Sequence, residues 1–388
     1  MSAAPAKRLA VLGSTGSIGT QALEVAARER ERVEVVALAA GRSLETLVAQ
    51  ARIWRPAALA LEHAADPAAA RTALAAAAPG ASVEVGPGAA ARLAAGCGAD
   101  VVLNGIVGAA GLRASLATLA RGARLALANK ESLVVGGPLV RAALARGGEL
   151  IPVDSEHSAA LQCLGGRPPR EVLRLTLTAS GGALRAHPDW RRATREEVLA
   201  HPVWKMGARI TVDSALLFNK GLELIEAQVL FGLDWEQLDA VLHPQTLVHA
   251  LVSFRDGSSV VQAATADMRL PIQLALSWPE RWGEAVRPLD PVALAGLEFA
   301  PLRAERFPAF ALALAAGRAG GTAPCALNGA DEVAVGAFLD GAIALERVPQ
   351  ILARVLEAHR VEAVESVEQL ESVDEWARRA ARGAVAAR

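Results

Sequence analysis

Residues 8–19 read Arg-Leu-Ala-Val-Leu-Gly-Ser-Thr-Gly-Ser-Ile-Gly, an apolar run that stops in a glycine-rich turn. The run at 8–12 is strand-like, and Thr20 to Arg28 has helical spacing. Gly13, Gly16 and Gly19 therefore sit between a strand and a helix. Glycines there permit a tight turn, let backbone N–H groups approach a pyrophosphate, and aim a helix N-terminus at its charge. Ser14, Thr15 and Ser17 add hydroxyl donors. A glycine turn also arises for packing alone, but the surrounding βαβ pattern favours a dinucleotide.

Outward from this turn, strand-like runs recur at 33–39, 57–61, 82–85, 100–106, 124–128 and 149–152. Helical stretches rich in Ala, Leu and Arg separate them. Alternating strands and helices predict an α/β fold: an N-terminal Rossmann-like, doubly wound parallel sheet reaching about Pro152. The second strand ends Ala39-Ala40-Gly41-Arg42-Ser43, with no carboxylate for a ribose hydroxyl. A guanidinium suits a 2′-phosphate, which favours NADP over NAD. An ordinary solvent-exposed arginine is the other reading of Arg42.

Beyond residue 152 the texture changes. Residues 171–178 alternate as a half-buried strand does, and runs at 247–254 and 258–264 flank the turn Arg255-Asp256-Gly257. Residues 279–304 hold four prolines and read as a linker, and the chain is helical after 305. The expected organisation is a cofactor domain at 1–152, a central α+β catalytic domain at 153–278 with a lid near 200–209, the linker, and a C-terminal helical bundle at 305–388.

The 388 residues suit two or three domains, and 52% are hydrophobic, enough for a core in each. A net charge of -1 without long runs of one sign does not indicate nucleic acid or an anionic membrane as partner. No apolar stretch approaches the roughly 18 residues of a membrane span, and the N-terminal run lacks the form of a signal peptide. Cys97, Cys163 and Cys325 are scattered and odd in number, as expected of reduced thiols in a cytoplasmic protein. Arginine supplies almost all basic charge. The four lysines, Lys7, Lys130, Lys205 and Lys220, are thus candidates for places that need a compact ammonium, with chance survival the alternative.

Asp154 and Glu156 lie two apart, which in extended backbone points both side chains to one side. Glu223 stands on a helix predicted from about Ser214 to Leu230. Three oxygen ligands suit a hard cation, Mg²⁺ or Mn²⁺, whereas an isolated Asp-x-Glu is usually a solvated edge. The loop Ala179-Ser180-Gly181-Gly182 exposes N–H groups after a strand, and Ser214, Asn219 and Lys220 share the predicted helix. Together they suggest a phosphate pocket, with helix capping and surface polarity as the alternative. His201-Pro-Val-Trp204-Lys205-Met206-Gly207 is aperiodic and bulky, and reads as a lid or as a loop anchored by a buried Trp204.

These motifs together resemble the 1-deoxy-D-xylulose 5-phosphate reductoisomerase family, from about Arg8 to the C-terminal helices. The resemblance rests on 13–19, Gly-Ile-Val-Gly-Ala-Ala-Gly-Leu at 105–112, Ala-Asn-Lys-Glu-Ser-Leu-Val at 128–134, Val-Asp-Ser-Glu-His at 153–157, Ala-Ser-Gly-Gly at 179–182, the 201–207 segment, Val-Asp-Ser-Ala at 212–215, Asn-Lys-Gly-Leu-Glu at 219–223 and His-Pro-Gln at 243–245. It implies an NADPH- and metal-dependent enzyme of isoprenoid precursor synthesis. Such an enzyme rearranges 1-deoxy-D-xylulose 5-phosphate and reduces the resulting aldehyde to 2-C-methyl-D-erythritol 4-phosphate. Mg²⁺ or Mn²⁺ is the implied metal, Co²⁺ a third candidate, and a cytoplasmic homodimer the implied assembly.

The resemblance assigns Asp154, Glu156 and Glu223 to the metal, with Lys130 and His201 as further catalytic groups. Ser155, Ser180, His201, Ser214, Asn219 and Lys220 match substrate contacts, several at the phosphate, with Lys130, Glu156, Trp204, Glu223 and His249 beside them. Thr15, Gly16, Ser17, Ile18, Gly41, Arg42, Ser43, Asn129, Glu131, Met206 and Gly207 match cofactor contacts. Ser43, Lys205, Ala208, Arg209 and Asp331 depart from the usual family residues. Two other readings stay open: a metal-independent NADP dehydrogenase and a non-catalytic NADP sensor. Arg42→Ala should weaken NADPH binding about tenfold or more and NADH binding far less, on the scale of one lost charge-assisted contact. Equal changes in the two titrations would show that Arg42 does not read the 2′-phosphate.

Overall fold

A computed structural model describes residues 5–204 and 206–387. The Lys205 departure falls outside the described residues. Two compact units emerge: one holds residues up to 132, 140–154 and 267–286, the other 133–139, 155–266 and 287 onward.

The first unit is built on a seven-stranded sheet: β1 (Lys7–Leu12), β2 (Val33–Ala40), β3 (Ala58–Leu61), β4 (Ser82–Val85), β5 (Val101–Asn104), β6 (Arg124–Leu127) and β7 (Glu149–Pro152). Their order is β4-β3-β2-β1-β5-β6-β7, and every pairing is parallel. Residues 9–12 are fully buried, as continuous apolar strands covered on both faces should be. Strand order reverses between β1 and β5, so a crevice opens at their carboxyl ends. The glycine turn leaves β1 at that point. Gly13 has φ +75°, and a Cβ there would meet the Gly105 carbonyl oxygen at 2.6 Å. The helix after the turn spans Ser17–Arg28, three residues longer at its start than its periodicity predicts.

The first unit also reclaims residues 267–286, which the expected limits assign to the central domain and the linker. The Arg269–Ser277 helix packs on Ser17–Arg28. Lys7 Nζ donates to the Leu276 carbonyl at 2.8 Å, and Arg28 Nη1 to the Ala285 carbonyl at 2.9 Å. Such a return is invisible to a reading that follows chain order.

The second unit contains β8 (Val172–Ala179), β9 (Leu238–Leu242), β10 (Val248–Phe254), β11 (Ser259–Ala263) and the two-residue β12 (Ala300–Pro301), in the order β11-β10-β8-β9-β12. Only β8 and β9 run parallel, so the sheet is mixed. β12 lies within the expected linker. The helices Pro308–Ala319, Ala323–Leu339, Arg347–Ala358 and Val367–Ala386 share one apolar core with Val212, Phe218, Leu222 and Ile225. The C-terminal helices and the mixed sheet fall in one compact unit, with one apolar cluster under the helices and another under the sheet.

Two local expectations change. Ser214 does not share a helix with Asn219 and Lys220: Ala208–Ala215 and Phe218–Phe231 are separate, parted at Leu217, whose φ of +54° leaves the right-handed region. Asp154 and Glu156 are not on one extended segment either. The chain turns helical at Ser155–Leu164, because His157, Ala160, Cys163 and Leu164 bury one helical face. Gly13→Ala should destabilise the protein by at least about 1–2 kcal/mol from backbone strain alone. Gly16, with φ -83° and only a 3.4 Å neighbour, should tolerate alanine better. Equal denaturation midpoints for the two variants would contradict this.

Candidate active site

In the first unit, the glycine turn is pinned from below. Ser14 Oγ donates to Gln50 Oε1 at 2.7 Å, and Gln50 Nε2 returns a bond to the Ser14 carbonyl at 2.8 Å, both groups buried. The Gly13 and Ser14 N–H groups bond to the Ala39 carbonyl at 2.9 Å, tying the turn to the end of β2. Gly41, Arg42 and Ser43 follow there and are exposed, and a Cβ at Gly41 would meet nothing within 4 Å. Ser43 caps the Leu44–Trp54 helix by position, without a side-chain cap bond. Thr15 and Ile18 are half-buried, while Gly16 and Ser17 are exposed at the start of their helix. A partly exposed glycine turn, tied to a strand followed by an arginine rather than an acid, fits a phosphorylated dinucleotide.

Asn129 and Glu131 carry a role that the motif did not reveal. Asn129 Nδ2 donates to the carbonyls of Ile106 at 2.6 Å and Gly108 at 2.9 Å, and Glu131 Oε1 accepts from the Gly108 N–H at 3.2 Å. They hold the loop after β5 in shape. Lys130 Nζ lies 2.6 Å from Asp154 Oδ2, with both side chains about nine-tenths buried. Asp154 ends the 140–154 segment of this unit, and Ser155-Glu156 follow it directly in the chain.

In the second unit, Lys220 is the hinge of the arrangement. Its side chain is buried, with Nζ 2.9 Å from Glu156 Oε1 and in short contact with Glu223 Oε2. Burial lowers the ammonium pKa, but Glu156 and Glu223 outweigh it and hold the value above the ordinary one. Asn219 Nδ2 donates to Glu223 Oε1 at 2.5 Å, and Ser155 Oγ to Glu156 Oε2. Two converging carboxylates already hold one cation here. An all-oxygen set with no cysteine suits Mg²⁺ or Mn²⁺ rather than a thiophilic metal. Behind them, His157 Nε2 bonds to the Glu223 carbonyl at 2.8 Å, and its Nδ1 lies 3.4 Å from Glu226 Oε2. His157 and Glu226 had no assigned role. His157 stands inside the quoted 153–157 motif, and Glu226 is one helical turn past Glu223.

A second group forms on the 180 and 201 loops. The His201 Nδ1 accepts N–H bonds from Val203 at 3.2 Å and Trp204 at 2.9 Å. Neutral His201 must therefore carry its proton on Nε2, which donates to Ser180 Oγ at 3.1 Å. Ser180 Oγ also accepts the Gly182 N–H at 3.1 Å. Burial holds the His201 pKa below its ordinary value, so the ring is neutral at pH 7. The Trp204 and His249 rings are tilted, with centroids 6.4 Å apart. Met206 is half-buried, and Gly207 is exposed as the N-cap of Ala208–Ala215. Ser214 Oγ donates to the Ile210 carbonyl at 2.7 Å. A separate open cavity of about 300 Å³, lined by Arg192, Arg195, Phe338 and Leu345 among others, contains none of these groups.

Known proteins match this chain along nearly its whole length. The family model for 1-deoxy-D-xylulose 5-phosphate reductoisomerase matches residues 9–137, that for the 1-deoxy-D-xylulose 5-phosphate reductoisomerase C-terminal domain 150–231, and that for the DXP reductoisomerase C-terminal domain 264–380. The enzyme of that name from Moorella thermoacetica is 50% identical over 98% of each chain, and that from Anaeromyxobacter dehalogenans 49% over 98% of each. The chain belongs to the 1-deoxy-D-xylulose 5-phosphate reductoisomerase family.

Solved structures of the family share its architecture. A reductoisomerase from Zymomonas mobilis in complex with NADPH superposes with a TM-score of 0.91 at 35% identity, over 99% of this chain and all of that one. One in complex with NADPH, fosmidomycin and magnesium gives 0.92 at 35% identity, over 98% of both chains.

The neutral His201 has a pH consequence. Its folded pKa is depressed, so its stability contribution is complete above about pH 6.5, the ordinary imidazole value, and is lost as the pH falls through the lower folded value. Protonating Nδ1 also removes the two N–H bonds that order residues 203 and 204. Relative to His201→Gln, wild-type stability should be constant above about pH 6.5 and decline below it. A difference that stays constant from about pH 8 to pH 5 would exclude this role.

Proposed function

We propose that this chain converts 1-deoxy-D-xylulose 5-phosphate to 2-C-methyl-D-erythritol 4-phosphate, using NADPH as hydride donor and a divalent cation, Mg²⁺ or Mn²⁺. The reading is carried by the convergence of Glu156 and Glu223 on one buried ammonium in a chain that shares half its residues with reductoisomerases end to end.

Asp154, Glu156 and Glu223 are the proposed metal ligands. A bound divalent cation would supply Lewis-acid stabilisation of the enolate charge that develops as the carbon skeleton rearranges, and NADPH the hydride that reduces the aldehyde. The chain's own groups bind and orient. Ser180, with His201 donating to it, faces the phosphate in this reading, together with Ser214, Asn219 and Lys220. Ser180's hydroxyl proton is available to an anion because its oxygen already accepts from the His201 ring and the Gly182 N–H. Lys130, paired with Asp154, keeps an ammonium beside a metal carboxylate. Trp204 and Met206 form the proposed lid that keeps water from the enolate and the aldehyde. The Gly13–Gly19 turn, Gly41 and Arg42 hold the cofactor's phosphates in this reading, with Ser43, Asn129 and Glu131 on the same unit.

A cytoplasmic homodimer is part of the same proposal. No helix among the described residues is long and apolar enough to cross a membrane. All three cysteines are free, and burial pushes the Cys163 and Cys325 thiols up to about 11 and about 12. Val260 and Val261 are 43% and 47% exposed on the edge strand β11, an apolar ladder edge that a second copy would cover.

Purified protein should oxidise NADPH on addition of 1-deoxy-D-xylulose 5-phosphate and Mg²⁺ or Mn²⁺, stop with EDTA, and recover on metal replacement. Turnover that survives EDTA would favour a metal-free dehydrogenase, and NADPH binding without any turnover a sensor. Glu223→Gln should cut turnover at least about a hundredfold, within the several kcal/mol a Lewis acid provides, and leave NADPH binding within about twofold. Equal loss of both would make Glu223 structural.

A further inference from the structure

Among the described residues of the second unit, an ion-pair cluster outside the proposed site centres on Arg209. Its guanidinium reaches Asp331 Oδ2 at 3.1 Å, Asn328 Oδ1 at 3.1 Å and Glu332 Oε1 at 3.0 Å, all on the Ala323–Leu339 helix. Its Nε lies 3.7 Å from Asp213 Oδ2, one turn along its own helix. Asp331 and Asp213 are almost completely buried, at 1% and 5% side-chain exposure. Glu332 is gripped from its other side by Arg378 at 2.5 Å, and Arg378 holds Asp374 at 2.6 Å. Burial raises the Glu332 pKa, but the two guanidiniums outweigh it and keep the value below the ordinary one.

The location gives this cluster a consequence beyond stability. Arg209 closes the expected 200–209 lid and stands in the first turn of Ala208–Ala215, two residues past its N-cap Gly207. Asp213 immediately precedes Ser214. At the other end of the same helix, Gly182 has φ +61°, and a Cβ there would meet the Ser214 carbonyl oxygen at 2.6 Å. Backbone therefore lies directly on backbone between the Ser180 loop and the last turn of this helix. The short helix is bolted to Ala323–Leu339 at its start and touches the anion-side loop at its end.

We propose that Arg209 is a positioning residue for anion binding: its planar fork sets the Ala208–Ala215 helix so that Ser214 and the Ser180 loop are held in register for the substrate's phosphate. The inference rests on the reading that Ser180 and Ser214 face that phosphate. Nη2 serves both Asn328 and Asp331 while Nη1 serves Glu332, so the contacts are divided between two nitrogens of one rigid plane, a span that a single ammonium nitrogen lacks. An ammonium is a point charge and satisfies fewer of them at once. The registration is lost with the fork, even when the charge is kept.

Arg209→Lys tests this in the full-length enzyme with inorganic phosphate as a competitive probe. The expected result is a rise of about tenfold in both the substrate KM and the phosphate inhibition constant, with kcat within about twofold. Asp331→Asn removes one charge of the clamp but keeps an oxygen acceptor, and should show the same split at about threefold. It also serves if Arg209→Lys does not fold. A lowered melting temperature with unchanged KM and inhibition constant in these variants would overturn the proposal, because a purely structural role lowers the active fraction without moving either constant. Ser214→Ala is the control. If it weakens phosphate and Arg209→Lys does not, the positioning role alone fails. If Ser214→Ala leaves phosphate inhibition unchanged, the phosphate reading fails and the proposal falls with it.

Discussion

A buried ammonium between two carboxylates is the constraint on which the second unit's chemistry depends. Lys220 loses its hydration on folding, and an unpaired buried charge of that kind is strongly unfavourable. Glu156 and Glu223 offset the loss, and each would itself be costly to bury alone. None of the three is therefore replaceable singly. The requirement draws the start of Ser155–Leu164 against the first turns of Phe218–Phe231, and the His157 bond to the Glu223 carbonyl locks the same two helices from behind. The result is a fixed pair of carboxylate oxygens facing one positive charge. That is also the preorganisation a divalent cation needs, because ligands already aligned lose little freedom when it binds.

The first unit solves a different problem with different means. Its site is made mostly of backbone. The turn is possible because Gly13 takes a left-handed conformation within 2.6 Å, measured from a would-be Cβ, of the Gly105 carbonyl. Ser14 and Gln50 then close the polar groups of the turn on each other, so that burying them carries no penalty. Asn129 and Glu131 do the same for the loop after β5. Dipoles and N–H groups suit a ligand whose charge is spread over phosphates, whereas the second unit's concentrated carboxylates suit a compact cation. The chain passes from one unit to the other between Asp154 and Ser155, so a single motif, Val153 to His157, contributes to both.

The parts that could be read in advance were those written in short stretches. The seven parallel strands, the glycine turn and the missing acid after β2 all follow from local pattern, and strand limits agreed within one or two residues. β9 and β12 escaped notice because Leu238–Leu242 is only half-buried and Ala300–Pro301 is a two-residue edge, too short for any periodicity. The apolar pattern runs on through Leu216 and Leu217 and so joins Ser214 to Asn219 and Lys220, and only the φ of Leu217 separates the two helices. The two-residue spacing of Asp154 and Glu156 suits extended backbone, and spacing alone does not tell a strand from a helix's first turn. Arg209 and Asp331 stood out as departures from the family, yet nothing in the chain showed that they face each other.

By itself the sequence determined the class of fold, the glycine turn after β1 and the family, because each is encoded by neighbouring residues acting through backbone geometry and hydrogen-bond periodicity. Tertiary structure alone decided that Lys220 sits between Glu156 and Glu223, that His157 backs Glu223, that residues 267–286 return to the first sheet, and that the C-terminal helices share a core with Phe218 and Ile225. Apart from Lys220 and Glu223, which lie one turn apart on one helix, those are pairings between groups tens to hundreds of residues apart. Their partners are chosen by which arrangement buries the most apolar surface without leaving a charge unpaired, and that choice is a property of the whole packed chain rather than of any stretch of it.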